Sequence, residues 1–214
     1  MALQPCSLPR RLLLRLSALT GLVVAALVAV PGLAHDMHDM DDGPMVGDAS
    51  KPVRSMRAYA VPPVRLVRAD GKAVSLPEEM DDGRPVLLNF IFTTCTDVCP
   101  LMSSVFEQFE HRLGGEADKV HLMSISIDPE QDTPARLLEY ARRFHAGPEW
   151  QHYTGTRRAS ITAQQAFGVY RGGKMSHGAV TLLRAAPGKP WLRIDGFVTP
   201  DELVHDYQEL LASR

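Results

Sequence analysis

The sequence predicts one α/β domain behind an N-terminal extension. Its 214 residues suffice for one domain of ordinary size, and 45% hydrophobic with 22% charged residues supports a packed core. From Val64 onward, short apolar runs of strand length alternate with amphipathic segments of helix length. The net charge of −2 and the lack of a basic patch with interleaved aromatic residues argue against nucleic-acid binding.

Residues 1–34 are predicted to be a targeting segment. Three arginines between positions 10 and 15 precede an apolar run of about 18 residues, which ends in small residues typical of a signal-peptidase site at Ala34. The arginine pair also loosely matches a twin-arginine export signal. Because the run is near the lower limit for a membrane span, a retained anchor is the alternative. Either reading predicts an exported protein, periplasmic or tethered to the outer face of the inner membrane.

Export would leave two cysteines. Cys6 precedes the apolar run, whereas the lipid-bearing cysteine of a lipoprotein would follow it. Only Cys95 and Cys99 remain in the exported part, and two thiols cannot form a disulfide framework for a domain of this size. The pair is therefore predicted to serve chemistry.

Residues 35–60 are predicted to be a flexible lead-in, because they are rich in Asp, Gly, Pro, Met and Ser and lack apolar periodicity. An auxiliary metal site is one interpretation of this segment, since imidazole and thioether together suit copper. A solvated acidic tether is the other interpretation. The candidate ligands are His35, Met37, His38 and Met40.

The domain itself is predicted over 61–214. Residues 64–67 form a short strand, and 86–92 form a continuous apolar run, as expected of a central strand covered on both faces. A helix follows from about Pro100, and 120–127 form a second buried strand. The predicted core stripe of that helix consists of Leu101, Val105, Phe109 and Leu113.

In the second half, Thr133 is predicted to cap a helix that runs to about Phe144, and another helix spans 160–167. A hairpin of strands 179–183 and 192–195 precedes a last helix whose capping box begins at Thr199. This order is that of a thioredoxin-like fold, a central mixed β-sheet flanked by helices, with one helix inserted ahead of the hairpin.

Cys95 and Cys99 lie where the buried strand gives way to a helix. A helix start lowers the pKa of a nearby thiol, which favours the thiolate that acts as nucleophile and metal ligand. Residues four apart share a helical face at a spacing of about 6 Å. The pair can therefore chelate a soft ion when reduced, or act as a redox pair that closes into a disulfide.

His177 is the candidate third ligand. It lies in a glycine-rich loop before the hairpin, which faces one end of the first helix in a thioredoxin-like topology. Two thiolates and one imidazole suit copper, with zinc possible; an exposed loop histidine is the alternative. Met175 could add an axial thioether or simply pack. Five other histidines match no ligand spacing and are predicted to be structural or exposed: His111, His121, His145, His152 and His205.

From about Val61 to the C-terminus, the chain resembles the Sco/SenC family of copper-handling, thioredoxin-like proteins. The segment 94–100, Thr-Cys-Thr-Asp-Val-Cys-Pro, is similar to the family's C-x-x-x-C-P signature, and 125–134, 153–156 and 166–170 match further landmarks. The resemblance implies Cu(I) or Cu(II) held by Cys95, Cys99 and His177. It also implies a partner such as the binuclear copper centre of cytochrome c oxidase, which receives copper or has its cysteines kept reduced.

The chain departs from the family at the histidine. Family members usually have Asp-His-Ser, whereas Ser176 and Gly178 flank His177 here, and the stretch after Tyr170 is short. An acid beside the histidine would orient it. Asp128 could supply an acid near the site, or it could be only a turn residue.

Three functions are compatible with these residues. A copper carrier, which is not an enzyme, is favoured mainly by the family resemblance. The three-residue spacing between the cysteines and a histidine placed to ligate also argue against ordinary thioredoxin chemistry. A thiol–disulfide oxidoreductase that reduces a partner's cysteines is the alternative, because exchange needs only an accessible thiolate and a second sulfur within reach. Thiol peroxidase is a third and weaker reading.

Overall fold

The computed structural model describes residues 51–213. The targeting segment predicted at 1–34 and the His/Met cluster predicted at 35–40 lie outside the described residues. Within the described part, no helix combines the length and apolar character that a membrane crossing requires.

A mixed sheet of eight strands forms the centre of the described region. In chain order the strands are β1 (Val53–Arg57), β2 (Arg65–Arg68), β3 (Ala73–Ser75), β4 (Val86–Ile91), β5 (His121–Ser126), β6 (Trp150–Gly155), β7 (Val180–Arg184) and β8 (Trp191–Asp195). Their order across the sheet is β1-β8-β7-β4-β5-β6-β2-β3. β4 pairs parallel with β5 and antiparallel with β7, and every residue of β4 and β5 is buried, as in a sheet covered on both faces.

Helices cover the sheet, and two of them begin with the caps predicted from the sequence. They are α1 (Leu76–Met80), α2 (Val98–Leu113), α3 (Pro134–Arg143), α4 (Arg157–Ala166) and α5 (Pro200–Ala212). The Thr133 side chain accepts from the backbone of Arg136 at the start of α3. Thr199 and Glu202 form a reciprocal capping box at α5. The predicted α/β fold, a mixed sheet with flanking helices, is confirmed.

The core divides between the two faces of the sheet because side chains alternate along a strand. On β4, Leu88 and Phe90 join a cluster with Phe167 and Trp191 on one face. Leu87 joins a second cluster on the other face, with aromatic residues of α2, β6 and α5. The members of that second cluster include Phe106, Phe109, Trp150 and Tyr207.

The core stripe predicted for α2 is wrong at Leu101, which is 53% exposed. The helix begins at Val98, and its buried face is shifted relative to the predicted stripe. Val105 and Leu113 are only partly buried against the core. The buried residues are Cys99, Met102, Ser103, Phe106 and Phe109.

The prediction of a flexible lead-in over 35–60 is wrong for Val53–Arg57, which is strand β1. All five residues pair antiparallel with β8 at the edge of the sheet. Their side chains are mostly exposed, so the sequence carries no apolar signal there; backbone pairing holds the strand. A hydrogen bond of 2.8 Å from Arg54 to Asp206 adds a side-chain tie to α5.

The buried Asp132 carboxylate ties together the loops that follow β4 and β5. It accepts from the Thr93 backbone N–H at 3.2 Å, from Thr93 Oγ1 at 2.6 Å and from Ser126 Oγ at 2.6 Å. A buried carboxylate is stable only when donors surround it in this way. Because Thr93 lies two residues before Cys95, this network fixes the start of the cysteine loop.

Asp132→Asn should lower the free energy of unfolding by about 2–4 kcal/mol, because the amide nitrogen would face a donor and leave buried hydrogen-bonding groups unsatisfied. Urea denaturation at neutral pH measures the change. Asp70→Asn is the matched control: Asp70 pairs with Arg68 at the surface, with 49% of its side chain exposed, and its loss should cost less than about 1 kcal/mol. Equal effects of the two substitutions would contradict the role given to Asp132.

Buried His152 should make the stability fall in acid. Its ring packs on Trp150 and Tyr140, its Nε2 has no hydrogen-bond partner in the described region, and burial lowers its pKa to about 4. Below the unfolded pKa of about 6.5 the unfolded chain binds the proton and the folded chain does not. The free energy of unfolding is therefore unaffected by His152 above a pH of about 6.5, and it decreases as the pH falls from there toward 4.

The loss attributed to His152 is about 3 kcal/mol between pH 7 and pH 4. His152→Phe should reduce the drop in unfolding free energy over that range by a comparable amount. Urea denaturation of both proteins at the two pH values measures the difference. His121, whose pKa is also lowered by burial, contributes equally to both proteins and cancels. An unchanged drop in the variant would show that His152 does not titrate as burial dictates.

Candidate metal site

Cys95 and Cys99 lie on either side of the first residue of α2. Cys95 is in the loop after β4, where its N–H donates to the Phe92 carbonyl at 3.1 Å. Cys99 is in the first turn, and its N–H points at Cys95 Sγ across 3.4 Å. Both are free thiols; Cys95 is partly exposed and Cys99 is fully buried. The helix start therefore directs a backbone donor at the accessible sulfur.

The predicted lowering of thiol pKa at the helix start is wrong for Cys99. Burial raises its pKa, and the nearby Cys95 and Asp132 raise it further. Burial disfavours the charged thiolate more strongly than the N-terminus of α2 favours it, because Cys99 packs among apolar residues such as Ile91, Phe92 and Leu137. Cys99 is therefore a neutral thiol at neutral pH, and a bound cation would displace its proton.

His177 is fixed to the same strand that leads into the cysteine loop. Its Nε2 lies 2.8 Å from the backbone carbonyl of Phe90 in β4. Since a carbonyl can only accept, Nε2 carries the proton and the Nδ1 lone pair is left for another partner. Burial lowers the pKa of His177, which favours the neutral imidazole that a metal requires.

Cys95 and His177 line one pocket of about 130 Å³, together with Met175. Cys99 does not line it and lies buried against Cys95. Across residues 51–213, no three side chains of His, Cys, Asp or Glu are arranged as a ready metal site. The structure thus brings the histidine loop to the accessible cysteine, and joining Cys99 to them requires local side-chain movement.

Asp128 reaches the histidine loop through a lysine. Its carboxylate forms an ion pair of 2.5 Å with Lys174, whose Nζ also lies 5.6 Å from the centre of the Phe92 ring. The Asp128 carbonyl accepts from the N–H groups of Gln131 and Asp132, so the residue also forms a turn. Both interpretations of Asp128 are therefore partly right, although its acid contacts Lys174 and not the imidazole.

The remaining histidines are structural or exposed, as predicted. His121 and His152 are buried, and His121 hydrogen-bonds Tyr153. The exposed ones are His111, His145 and His205. The sequence patterns assigned no role to Asp132 or Lys174. The position of Asp132 between a buried strand and a capped helix, within the segment 125–134, could have indicated a buried hydrogen-bonding role.

Comparison with known proteins finds relatives that are SCO1 homologs. A SCO1 homolog of Bacillus subtilis is 35% identical over 104 residues, which are 48% of this chain and 53% of that protein. The chain thus matches about half the length of that relative. SCO1 homolog 1 of Arabidopsis thaliana is 31% identical over 112 residues, 50% of this chain and 31% of that protein.

Two similar solved structures contain copper. Bradyrhizobium japonicum ScoI with copper bound is 28% identical, with a TM-score of 0.59, covering 70% of this chain and 98% of that one. Arabidopsis thaliana ScoI with copper bound is 25% identical, with a TM-score of 0.61, covering 72% and 100%. The SCO1/SenC family model matches residues 54–212, which include the cysteine pair, the histidine loop and the whole sheet from Arg54 onward. This chain therefore belongs to the SCO1/SenC family.

Proposed function

We propose that this protein is a copper metallochaperone that holds one copper ion through Cys95, Cys99 and His177 and passes it to a partner. The observation that carries the proposal is the pocket shared by Cys95 and His177, next to which the backbone N–H of Cys99 donates to the Cys95 sulfur. Two sulfurs and one imidazole form a donor set that suits copper. The copper-bound relatives support this ion over zinc.

The unequal burial of the two cysteines suits transfer by ligand exchange. Cys99 is enclosed and would hold the ion from the protein side, whereas Cys95 is partly exposed and could be replaced by a partner's donor atom. The hydrogen bond from Nε2 to Phe90 orients the imidazole, so that Nδ1 faces a fixed direction during the exchange.

The family relationship supports a partner such as the copper subunit of cytochrome c oxidase, or another copper or thiol client. The N-terminal pattern supports an exported protein, with residues 1–34 as signal or anchor. On this proposal the copper domain acts on the outer side of the inner membrane.

A thiol–disulfide oxidoreductase is the second candidate. It is supported by two free thiols close enough for Cys99 N–H to contact Cys95 Sγ. The accessible Cys95 would attack a partner's disulfide, and Cys99 would then displace the partner and close a disulfide, which releases two partner thiols. This function needs no histidine, and that difference separates it from copper carriage.

The purified protein should bind one Cu(I) per chain in an anaerobic competition with a chromophoric Cu(I) chelator. Cys95→Ser and Cys99→Ser should each lower the affinity by more than about 100-fold, because each removes a soft ligand. His177→Ala should lower it by about 10–100-fold. His145→Ala, a change at an exposed histidine outside the pocket, is the matched control and should have no effect.

Wild-type affinity in His177→Ala would remove His177 from the ligand set. Reduction of a small-molecule disulfide well above the rate of free dithiol, unchanged by His177→Ala, would favour the oxidoreductase instead.

Lys174→Gln should release copper about 3–10-fold faster, because it breaks the ion pair with Asp128 that restrains the histidine loop. The unfolding free energy should also fall, by about 1–3 kcal/mol, because the Asp128 side chain is only 11% exposed and would lose its charged partner. Stopped-flow transfer of Cu(I) to a chelator measures the rate. Lys189→Gln, at an exposed lysine in the hairpin loop, is the control. Equal rates in the two variants would show that the ion pair does not hold the loop.

A further inference from the structure

Met175 is 84% exposed, more than any other large hydrophobic side chain in residues 51–213. It nevertheless lines the pocket of Cys95 and His177. The packing role considered from the sequence is excluded, because so exposed a side chain makes few contacts. Burying a methionine side chain would stabilise the fold, and this fold does not use that gain.

The backbone holds Met175 at the mouth of the pocket. It is the middle residue of a 3₁₀ turn, Lys174–Ser176. Lys174 is tied to Asp128 before it, and His177 is tied to Phe90 after it. Within the turn, the His177 N–H donates to the Lys174 carbonyl at 3.2 Å. Anchors on both sides keep the thioether on the solvent side of the two candidate ligands.

A thioether has the chemistry of a handover ligand for Cu(I). It is a soft, neutral donor that suits Cu(I). Unlike a thiol, it has no proton to lose on binding. A thioether at the entrance can therefore take the ion at once and release it readily.

We propose that Met175 is a transient Cu(I) ligand, the first donor of this protein that an incoming ion meets and the last that a departing ion leaves. The inference rests on the proposed copper function and adds a route of entry and exit. It assigns the Met175 sulfur to the exposed side of the pocket, Cys95 and His177 to the middle, and Cys99 to the buried side. The copper remains Cu(I) throughout, so no electron is transferred.

The test uses the full chain labelled with ¹³C at the methionine methyl groups, titrated anaerobically with Cu(I). Met175→Leu, which preserves size and apolar character, identifies the Met175 signal by its disappearance. That signal should shift or broaden as Cu(I) enters. The rate of Cu(I) capture from a chelator should fall at least 3-fold in Met175→Leu, with a smaller change in equilibrium affinity. Met56→Leu is the matched control, because Met56 is 52% exposed on β1 and lies outside the pocket. The Met56 signal of the wild-type chain should not move as Cu(I) enters, and Met56→Leu should capture Cu(I) at the wild-type rate.

If the wild-type chain binds one Cu(I) while the Met175 signal stays still and both variants capture copper at the wild-type rate, Met175 is not a ligand and the chaperone proposal stands. If the wild-type chain binds no Cu(I), both the chaperone proposal and the Met175 inference fail.

Discussion

The candidate site depends on how the chain leaves β4. Phe90 holds the imidazole through its carbonyl, Phe92 accepts from the Cys95 N–H, and Thr93 is fixed by the buried Asp132. One strand end therefore positions both the cysteine loop and the histidine loop, which are far apart in sequence. The Asp132 carboxylate is the central constraint, because it is buried and its three donors must stay in place for it to be stable. Without it the cysteine loop would lose its tie to β5.

Sequence patterns predicted the elements near the site well because local chemistry determines them. The apolar runs of β4 and β5 and the cap at Thr133 are each encoded within a few residues. Strand β1 escaped prediction because its exposed side chains give no pattern and its pairing with β8 is nonlocal. The burial of Cys99 could not be predicted for a similar reason. The start of a helix is visible in the sequence, but the burial that raises the thiol pKa depends on the packing of residues distant in the chain.

Candidate ligands could be named from the sequence, but their arrangement could not. The spacing of Cys95 and Cys99 and the position of His177 could be read from the sequence. The sequence did not show that burial decreases from the enclosed Cys99 to the partly exposed Cys95 and then to the exposed Met175. That gradient fits a carrier better than a permanent metal centre, because a structural site encloses all of its ligands whereas a carrier must leave some within reach of a partner. No acid is adjacent to His177 in sequence. The acid that lies nearby in the fold, Asp128, contacts Lys174, three residues before the histidine.

The two halves of the site are held by different kinds of force. Neutral donors and a buried carboxylate fix the cysteine loop, whereas the partly exposed Lys174–Asp128 pair restrains the turn before the histidine. Mobile ions screen exposed charge pairs far more than buried ones. Rising ionic strength should therefore weaken the tie of Lys174 to Asp128 more than the hydrogen bond from His177 to Phe90 or the network around Asp132. The salt concentration would then act on the turn before His177 without disturbing the hydrogen bonds that position the two cysteines.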